Sequence, residues 1–234
     1  MRFLLGALLI VSFVFAQNFD DEFAQESVKK DNLRPYNVFM TDVNDKVFTY
    51  VLRPFYEGYT VVVPQNARIG ISNFFSNLKF PISFINNLLQ LKFENSFIEL
   101  QRFLINTTFG IVGFMDVAKD QFDIKAKNED FGQTLGYYGI GDSPYIVLPL
   151  LGPSNLRDIV GMGGDYYASP LSYIEGRGNL LENNDQAIYA KTGDRLNEGS
   201  FYYKKYEAIQ KDAFDLYIVL KNAYEQKRER EIQQ

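Results

Sequence analysis

A chain of 234 residues with a formal net charge of −5 is long enough for one domain with a sizeable core. Its acidity, without basic clusters, argues against a nucleic acid as partner. The chain has no histidine and no cysteine, which excludes a Ser-His-Asp triad, a Cys-His pair and the zinc sites built from these residues. Paired carboxylates can still hydrolyse glycosidic bonds, but no spacing selects a pair. We therefore expect no catalytic residue, no metal site and no cofactor.

The N-terminus predicts export. Arg2 precedes an apolar run from Phe3 to Phe15, and Val14-Phe15-Ala16 resembles a cleavage site that ends in a small residue. This pattern is typical of a signal peptide, here residues 1–16, and a polar leader follows at residues 17–30. An uncut helix that anchors the N-terminus in a membrane is the alternative. Because no cysteine follows the run, we expect a protein without a lipoprotein cysteine.

Residues 31–234 predict a single helical domain. Before Pro54, apolar residues spaced by three and four form one helical stripe, made of Tyr36, Phe39, Met40, Val43, Val47, Phe48 and Val51. Pro54 and Pro81 suit the first turn of a new helix, and Pro64 precedes another.

The helix after Pro64 has the clearest amphipathic pattern. Ala67 shares a face with four larger residues, Ile71, Phe74, Phe75 and Leu78, and Asn and Ser lie opposite. We expect those four residues to face a membrane or to pack inside the protein. The next helices repeat the pattern with Ile82, Ile85, Leu88 and Leu89, and then with Phe93, Phe97, Leu100 and Leu104. Their polar faces of Asn, Gln, Ser and Thr favour an interface or a poorly hydrated channel, and an ordinary soluble bundle is the alternative.

The second half of the chain is less regular. Residues 131–158 combine glycine-spaced tyrosines, an apolar run and three prolines, after which Ser154 can cap a helix. Residues 170–200 have no clear period and predict a loop-rich segment. A last helix then follows, with a fully charged tail.

Four segments together resemble the MlaA (VacJ) family. They are "YVLRPFYEGYTVVVPQNARIGISNFFSNLKFPISFINNLLQ", "RFLINTTFGIVGFMDVA", "EDFGQTLGYYGIGDSPYIVLPLLGPSNLRD" and "DLYIVLKNAYEQKRE". The resemblance covers about residues 31–170 and 200–230, whereas residues 171–199 match poorly. The chain departs from the family in lacking the lipidated cysteine and in an altered early motif at residues 31–37.

The resemblance implies an all-α fold. It implies a ring of short amphipathic helices in the membrane interface, with a glycine- and proline-rich loop or hairpin near a central channel. The implied location is the periplasmic-facing leaflet of the outer membrane. The implied function is intermembrane phospholipid transport, in which misplaced phospholipids leave the outer leaflet and pass to a carrier. The implied partners are phospholipid, an outer-membrane porin trimer and a soluble periplasmic lipid carrier similar to MlaC, and no enzymatic activity is implied.

The loop beside the channel gives the candidate lipid-path residues. They are Tyr137, Tyr138, Gly139, Ile140, Gly141, Tyr145 and Val147. Tyrosine can place its hydroxyl near head groups and its ring along acyl chains. Two other functions stay open at this point, a secreted carboxylate-dependent hydrolase and a soluble periplasmic scaffold.

Overall fold

The computed structural model describes residues 31–141, 143–173 and 185–233. The signal peptide predicted for residues 1–16 and the polar leader at residues 17–30 lie outside these ranges. From Leu33 onward the chain forms one compact unit.

The first half of this unit is a succession of helices. α1 continues through a π-helical turn into α2, and the prolines predicted to start helices do so: Pro54 and Pro81 lie in the first turns of α2 and α4, and Pro64 is the N-cap of α3. Proline has no backbone N–H to donate, which is harmless where a separate helix begins, as at Pro64 and Pro81. Pro54 instead follows a π-helical turn whose residues are already helical. The helices are α1 (Arg34–Val47), the π-helical turn (Phe48–Leu52), α2 (Arg53–Val62), α3 (Gln65–Leu78), α4 (Phe80–Leu89) and α5 (Phe93–Phe109).

In the described residues of the second half there are five further helices, a short 3₁₀ turn and one antiparallel hairpin. Its elements are α6 (Val117–Phe122), α7 (Phe131–Tyr137), β1 (Tyr145–Leu148), β2 (Gly152–Asn155), α8 (Leu156–Ala168), a 3₁₀ turn (Pro170–Tyr173), α9 (Asp185–Asp212) and α10 (Leu216–Gln233). In the hairpin, Tyr145 pairs with Asn155 and Leu148 pairs with Gly152. Within the described ranges these are the only two strands, so the predicted helical fold and its hairpin are confirmed.

Side-chain caps begin α7 and α8. Asp130 forms a capping box with Gln133, because each side chain accepts a hydrogen bond from the other residue's backbone N–H. The cap of α8 is Asn155, whose Oδ1 accepts from the Asp158 N–H at 2.7 Å. The predicted cap, Ser154, is instead buried in β2. The prediction was therefore wrong by one residue.

The prediction of a loop-rich segment over residues 170–200 is wrong from residue 185 onward, because α9 begins there. The side of α9 that packs against α2 and α3 carries the buried residues Asp194, Asn197, Ser200 and Tyr203. Three of these four are polar. A search for apolar periodicity cannot find a helix whose buried side is polar.

Two small apolar clusters lie between helices. One joins Phe48 and Tyr56 to Tyr203 of α9, and the other joins Tyr145 and Val147 of β1 to Tyr217 of α10. α10 is also held by Arg228, whose guanidinium contacts the carboxylates of Asp130 at 2.8 Å and Asp158 at 2.7 Å. No helix in the part of the chain that the structure describes combines the length and the apolar character needed to cross a membrane.

Candidate functional site

The burial of α4 and α5 is the reverse of that in a water-soluble helix. In α4, the polar residues Ser83, Asn86 and Asn87 are buried. In α5, the buried residues are Ser96, Glu99, Arg102 and Asn106. Their spacing of three and four places them along one side of each helix. The polar side therefore faces the interior of the protein.

The apolar sides of the same helices face outward. Phe97 is 58% exposed, and Phe109 is 70% exposed. We call the exposed large apolar residues from α1 through α5, with the connections between these helices and the loop after α5, the apolar belt. It comprises Tyr36, Phe39, Tyr50, Val51, Phe55, Val61, Val62, Ile69, Ile85, Leu88, Leu89, Leu91, Phe93, Phe97, Leu104, Phe109, Ile111, Val112, Phe114 and Met115. An exposed apolar surface of this extent marks contact with a membrane or another protein.

Several corners of the structure also expose aliphatic side chains in a left-handed backbone conformation. Leu91 has φ 60°, Ile111 φ 53°, Val112 φ 57° and Leu150 φ 62°. Glycine or asparagine is usual at such positions, and a β-branched residue there is strained. At these four positions, apolar side chains lie at the surface of the protein, where contact with water would favour polar ones.

The polar interior is joined by hydrogen bonds from α4 to α7. Gln90 donates to Glu129 at 2.9 Å and to the Thr134 hydroxyl at 3.1 Å, and that hydroxyl donates to Asn86 at 2.8 Å. Lys92 forms an ion pair with Glu129 at 2.8 Å. These contacts offset the cost of burying polar groups and charges away from water.

A second polar group links α5 to α6. Nη2 of Arg102 donates to both carboxylate oxygens of Asp116, at 2.9 and 3.0 Å, and Asn106 donates to the same carboxylate at 2.9 Å. Burial alone would raise the pKa of Asp116, but the hydrogen bonds from Arg102 and Asn106 outweigh it and lower that pKa. Burial raises the pKa of the neighbouring Glu99. A polar cavity of about 30 Å³ lies among these side chains, enough for about one water.

The predicted lipid-path residues fall into two groups. Tyr137, Tyr138 and Ile140 are exposed, as is the adjoining Gly141, and Gly139 has φ 81° with open space where a Cβ would lie. The Tyr138 hydroxyl donates to the Leu89 carbonyl, and the Lys92 ammonium lies 5.5 Å from the centre of the Tyr137 ring. In contrast, Tyr145 and Val147 are buried against α10 in one of the apolar clusters. The loop residues are therefore exposed, whereas the two strand residues pack inside the protein.

The predicted apolar face of α3 is half-buried. Ile71, Phe74, Phe75 and Leu78 each keep part of their surface exposed. The Phe74 ring stacks on Phe114 of the belt with ring centres 5.0 Å apart. This face therefore both packs and contributes to the outside of the protein.

The sequence prediction missed two asparagines on α1. Asn37 donates to the Tyr145 carbonyl at 3.1 Å and accepts from the Val147 N–H at 2.8 Å. Asn44 donates to the Leu148 carbonyl at 2.9 Å and accepts from the Leu150 N–H at 2.8 Å. Seven residues of helix rise about 10.5 Å, and three residues of strand span about 10 Å, so the two amides match the hairpin backbone. The signal in the sequence was that these two asparagines are seven residues apart, which places them on the same side of the helix.

Comparison with known proteins gives consistent matches over most of the chain. A family model described as MlaA lipoprotein matches residues 29–231. The intermembrane phospholipid transport system lipoprotein MlaA of Haemophilus influenzae is 33% identical over 206 residues, which are 86% of this chain and 79% of that protein. The protein of the same name from Escherichia coli K12 is 37% identical over 149 residues, which are 62% of this chain and 59% of that protein.

A solved structure has a similar fold. It is described as "Structural basis for maintenance of bacterial outer membrane lipid asymmetry" and matches this chain with a TM-score of 0.72 at 29% sequence identity. The match covers 87% of this chain and 100% of that chain.

The comparisons correct the predicted mode of localisation. The family model and both relatives carry the name lipoprotein. The prediction of an outer-membrane protein without a lipoprotein cysteine is therefore wrong, although its outer-membrane part is supported. The error was to treat the lack of one residue type in these 234 residues as evidence on how the protein attaches to a membrane.

Proposed function

Because this chain belongs to the MlaA family, we propose that it acts in intermembrane phospholipid transport, moving phospholipids out of the outer leaflet of the outer membrane. The observation that carries this proposal is the reversed burial of α4 and α5, which turn polar sides inward and apolar sides outward. Such a surface is stable where hydrocarbon, rather than water, surrounds the protein. The similarity to the structure on lipid asymmetry supports the same conclusion.

In this proposal the helices lie within the periplasmic-facing leaflet. Each large apolar side chain of the belt that leaves water stabilises this placement by about 1.5–3 kcal/mol. The charged helices α9 and α10 then face the aqueous side. They carry a dense series of Lys, Arg, Asp and Glu, whereas α4 carries no charged residue.

In this proposal a phospholipid head group passes along the polar sides of α4 and α5, which have to separate for it, because the polar cavity beside Arg102 holds about one water. A head group has to cross a hydrocarbon layer, and amide and hydroxyl side chains can replace its lost hydrogen bonds to water. The exposed loop residues Tyr137, Tyr138 and Ile140 contact the lipid in this proposal, with Gly139 and Gly141 allowing the loop to move. The buried Tyr145 and Val147 fix the hairpin beside that loop.

The names of the relatives support phospholipid and other components of a transport system as partners, and we propose two specific ones from the family resemblance. An outer-membrane porin trimer holds the protein in the bilayer, and a soluble periplasmic carrier similar to MlaC receives the lipid. Transport of this kind breaks no covalent bond, so the protein acts without catalysis.

The test is complementation of a cell that lacks its own copy of this protein. Wild type should restore low outer-leaflet phospholipid and detergent resistance, whereas Phe97→Asp should not, because a carboxylate on the belt is costly in hydrocarbon. Tyr202→Asp is the matched control, since Tyr202 is 65% exposed but lies on α9. We expect the control to behave as wild type.

Other outcomes would favour the alternative functions. Recovery of the wild-type protein in the aqueous fraction after carbonate washing would support a soluble scaffold. Release of head groups or sugars from candidate substrates would support a hydrolase.

A further inference from the structure

An apolar cavity lies between α1, the hairpin and the C-terminal helices. Its volume is about 280 Å³, and its walls come from Val47 and Leu52 on one side, Val147 and Leu151 on the other, and Leu220 of α10. Among the described residues that line it, none is charged. The cavity is separate from the small polar one beside Arg102.

The polar groups beside this cavity are already satisfied. The Asn44 amide donates to the Leu148 carbonyl and accepts from the Leu150 N–H, as described above. The Tyr206 hydroxyl donates to Asp45 at 3.2 Å, which leaves the ring as the part of Tyr206 available to the cavity. Water gains little from a space whose walls offer few hydrogen bonds, so the cavity favours an apolar occupant.

Its size selects the kind of occupant. An engineered apolar cavity of about 150 Å³ stays dry and binds benzene. The present cavity is nearly twice as large, which admits part of one hydrocarbon chain but not a whole phospholipid. Leu150, 71% exposed, and Leu151, 48% exposed, line the cavity and also reach the outside. They mark the side by which a chain can enter while the head group stays outside.

We propose that this cavity binds a segment of one acyl chain of a phospholipid, entering past Leu150 and Leu151 of the hairpin turn. The site rests on the proposed transport function, because that function supplies the lipid. Holding one chain here would position the lipid beside the hairpin and the loop at residues 137–141.

The test uses the full chain in vesicles of phosphatidylethanolamine and phosphatidylglycerol. A small fraction of phosphatidylcholine with a diazirine on one acyl chain is the probe, and cross-linked peptides are mapped by mass spectrometry after illumination. We expect cross-links at Tyr206 or Leu220, which belong to α9 and α10 but line the cavity. Cross-links at Phe97 and Leu104 of the belt report membrane contact independently of the cavity.

Filling the cavity should remove only the cavity cross-links. Val47→Phe adds volume inside it, whereas Val51→Phe adds the same volume at a site that is 59% exposed. We expect loss of the Tyr206 and Leu220 cross-links in Val47→Phe and their retention in Val51→Phe. Leu220→Phe fills the cavity from the opposite wall, with Tyr206 then the reporter, and provides the same test if Val47→Phe does not fold.

The results separate this inference from the function on which it rests. Belt cross-links without cross-links at Tyr206 or Leu220 in wild type would overturn the acyl-chain site alone. Unchanged cavity cross-links in a folded Val47→Phe or Leu220→Phe variant would overturn it as well. Absence of belt cross-links in wild type would instead contradict the proposed membrane function.

Discussion

Two asparagines of α1 hold the hairpin through hydrogen bonds to its backbone. Asn37 is fully buried. Its side-chain amide donates one hydrogen bond to the backbone of β1 and accepts another from it. Asn44 does the same at the end of β1 and the turn that follows. An asparagine amide can donate and accept at once, so each of these side chains satisfies one carbonyl and one N–H of the hairpin.

Asn44→Asp tests this pairing with almost no change in shape. The carboxylate keeps an acceptor for the Leu150 N–H but loses the donor to the Leu148 carbonyl, and two oxygens then face each other. We expect the free energy of unfolding in mild detergent to fall by about 1–3 kcal/mol. Asn222→Asp, at an exposed position of α10, is the control. Equal stability of the two variants would show that the Asn44 donor contributes nothing.

Asp165 makes stability depend on pH. Burial, and to a lesser extent the nearby Asp130 charge, raise its pKa to about 6, despite hydrogen bonds from the Phe131 N–H and Asn86. The folded protein therefore binds this proton more tightly than the unfolded chain, in which an aspartate carboxyl has its ordinary pKa of 3.8. Stability from this group is full below about pH 4 and decreases as pH rises to about 6.

The corresponding variant is Asp165→Asn, which has no charge to bury at any pH. Its free energy of unfolding, relative to wild type, should increase between pH 4 and pH 7 and then level off. Asp212→Asn, at an exposed position, should show no such trend. A constant difference between Asp165→Asn and wild type across this range would refute the effect.

At the scale of elements, glycine sets how closely α7 and α8 approach. A Cβ on Gly161 would lie 2.5 Å from the backbone nitrogen of Gly132, so the two helices are in direct backbone contact. Gly163 lies further along α8, on a different side of the helix, and a Cβ there would meet nothing within 4 Å. The same helix thus offers a constrained glycine and a free one.

Alanine at these two positions should have opposite effects. Gly161→Ala must push α7 away from α8, and we expect a lower thermal midpoint. Gly163→Ala gains helix propensity worth about 0.5–1 kcal/mol and should raise the midpoint slightly. Melting both variants by circular dichroism in the same detergent checks the pair. A similar loss in both would mean that the close contact is not what constrains Gly161.

The elements differ in how far the sequence could predict them. Proline positions and apolar spacing were sufficient for α1 to α5 because each has a regular apolar side. α9 was missed because its packed side is polar. Periodicity also shows that a helix has two sides without showing which one faces inward. The exposure of Tyr137 and Tyr138 and the burial of Tyr145 and Val147 could not be separated from sequence either, because the four residues lie at the end of α7 and in β1, outside any long periodic segment.

At the scale of the whole molecule, the stability of this burial pattern depends on the medium around the protein, because the belt is stable in hydrocarbon rather than in water. The interior is joined by amides, hydroxyls and ion pairs, and the belt is apolar. Hydrogen bonds are stronger and unpaired polar groups more costly where water is scarce. The polar interior therefore specifies the arrangement of the helices, while the belt keeps the protein at the bilayer.

Because apolar residues lie outside and polar residues inside, we expect the usual pattern of tolerated substitutions to be reversed: apolar surface positions should accept other apolar residues, and buried polar positions should not. In a library of variants selected for retained transport, Phe97→Leu should survive because hydrocarbon accepts any large apolar side chain. Asn87→Leu, of similar volume to the residue it replaces, should be eliminated because its amide holds the carbonyls of Ser83 and Lys127, each at 2.8 Å. Over evolutionary time, the belt should accordingly vary freely among aliphatic and aromatic residues while the inner asparagines stay fixed. A library in which the two classes are lost equally often would argue against it.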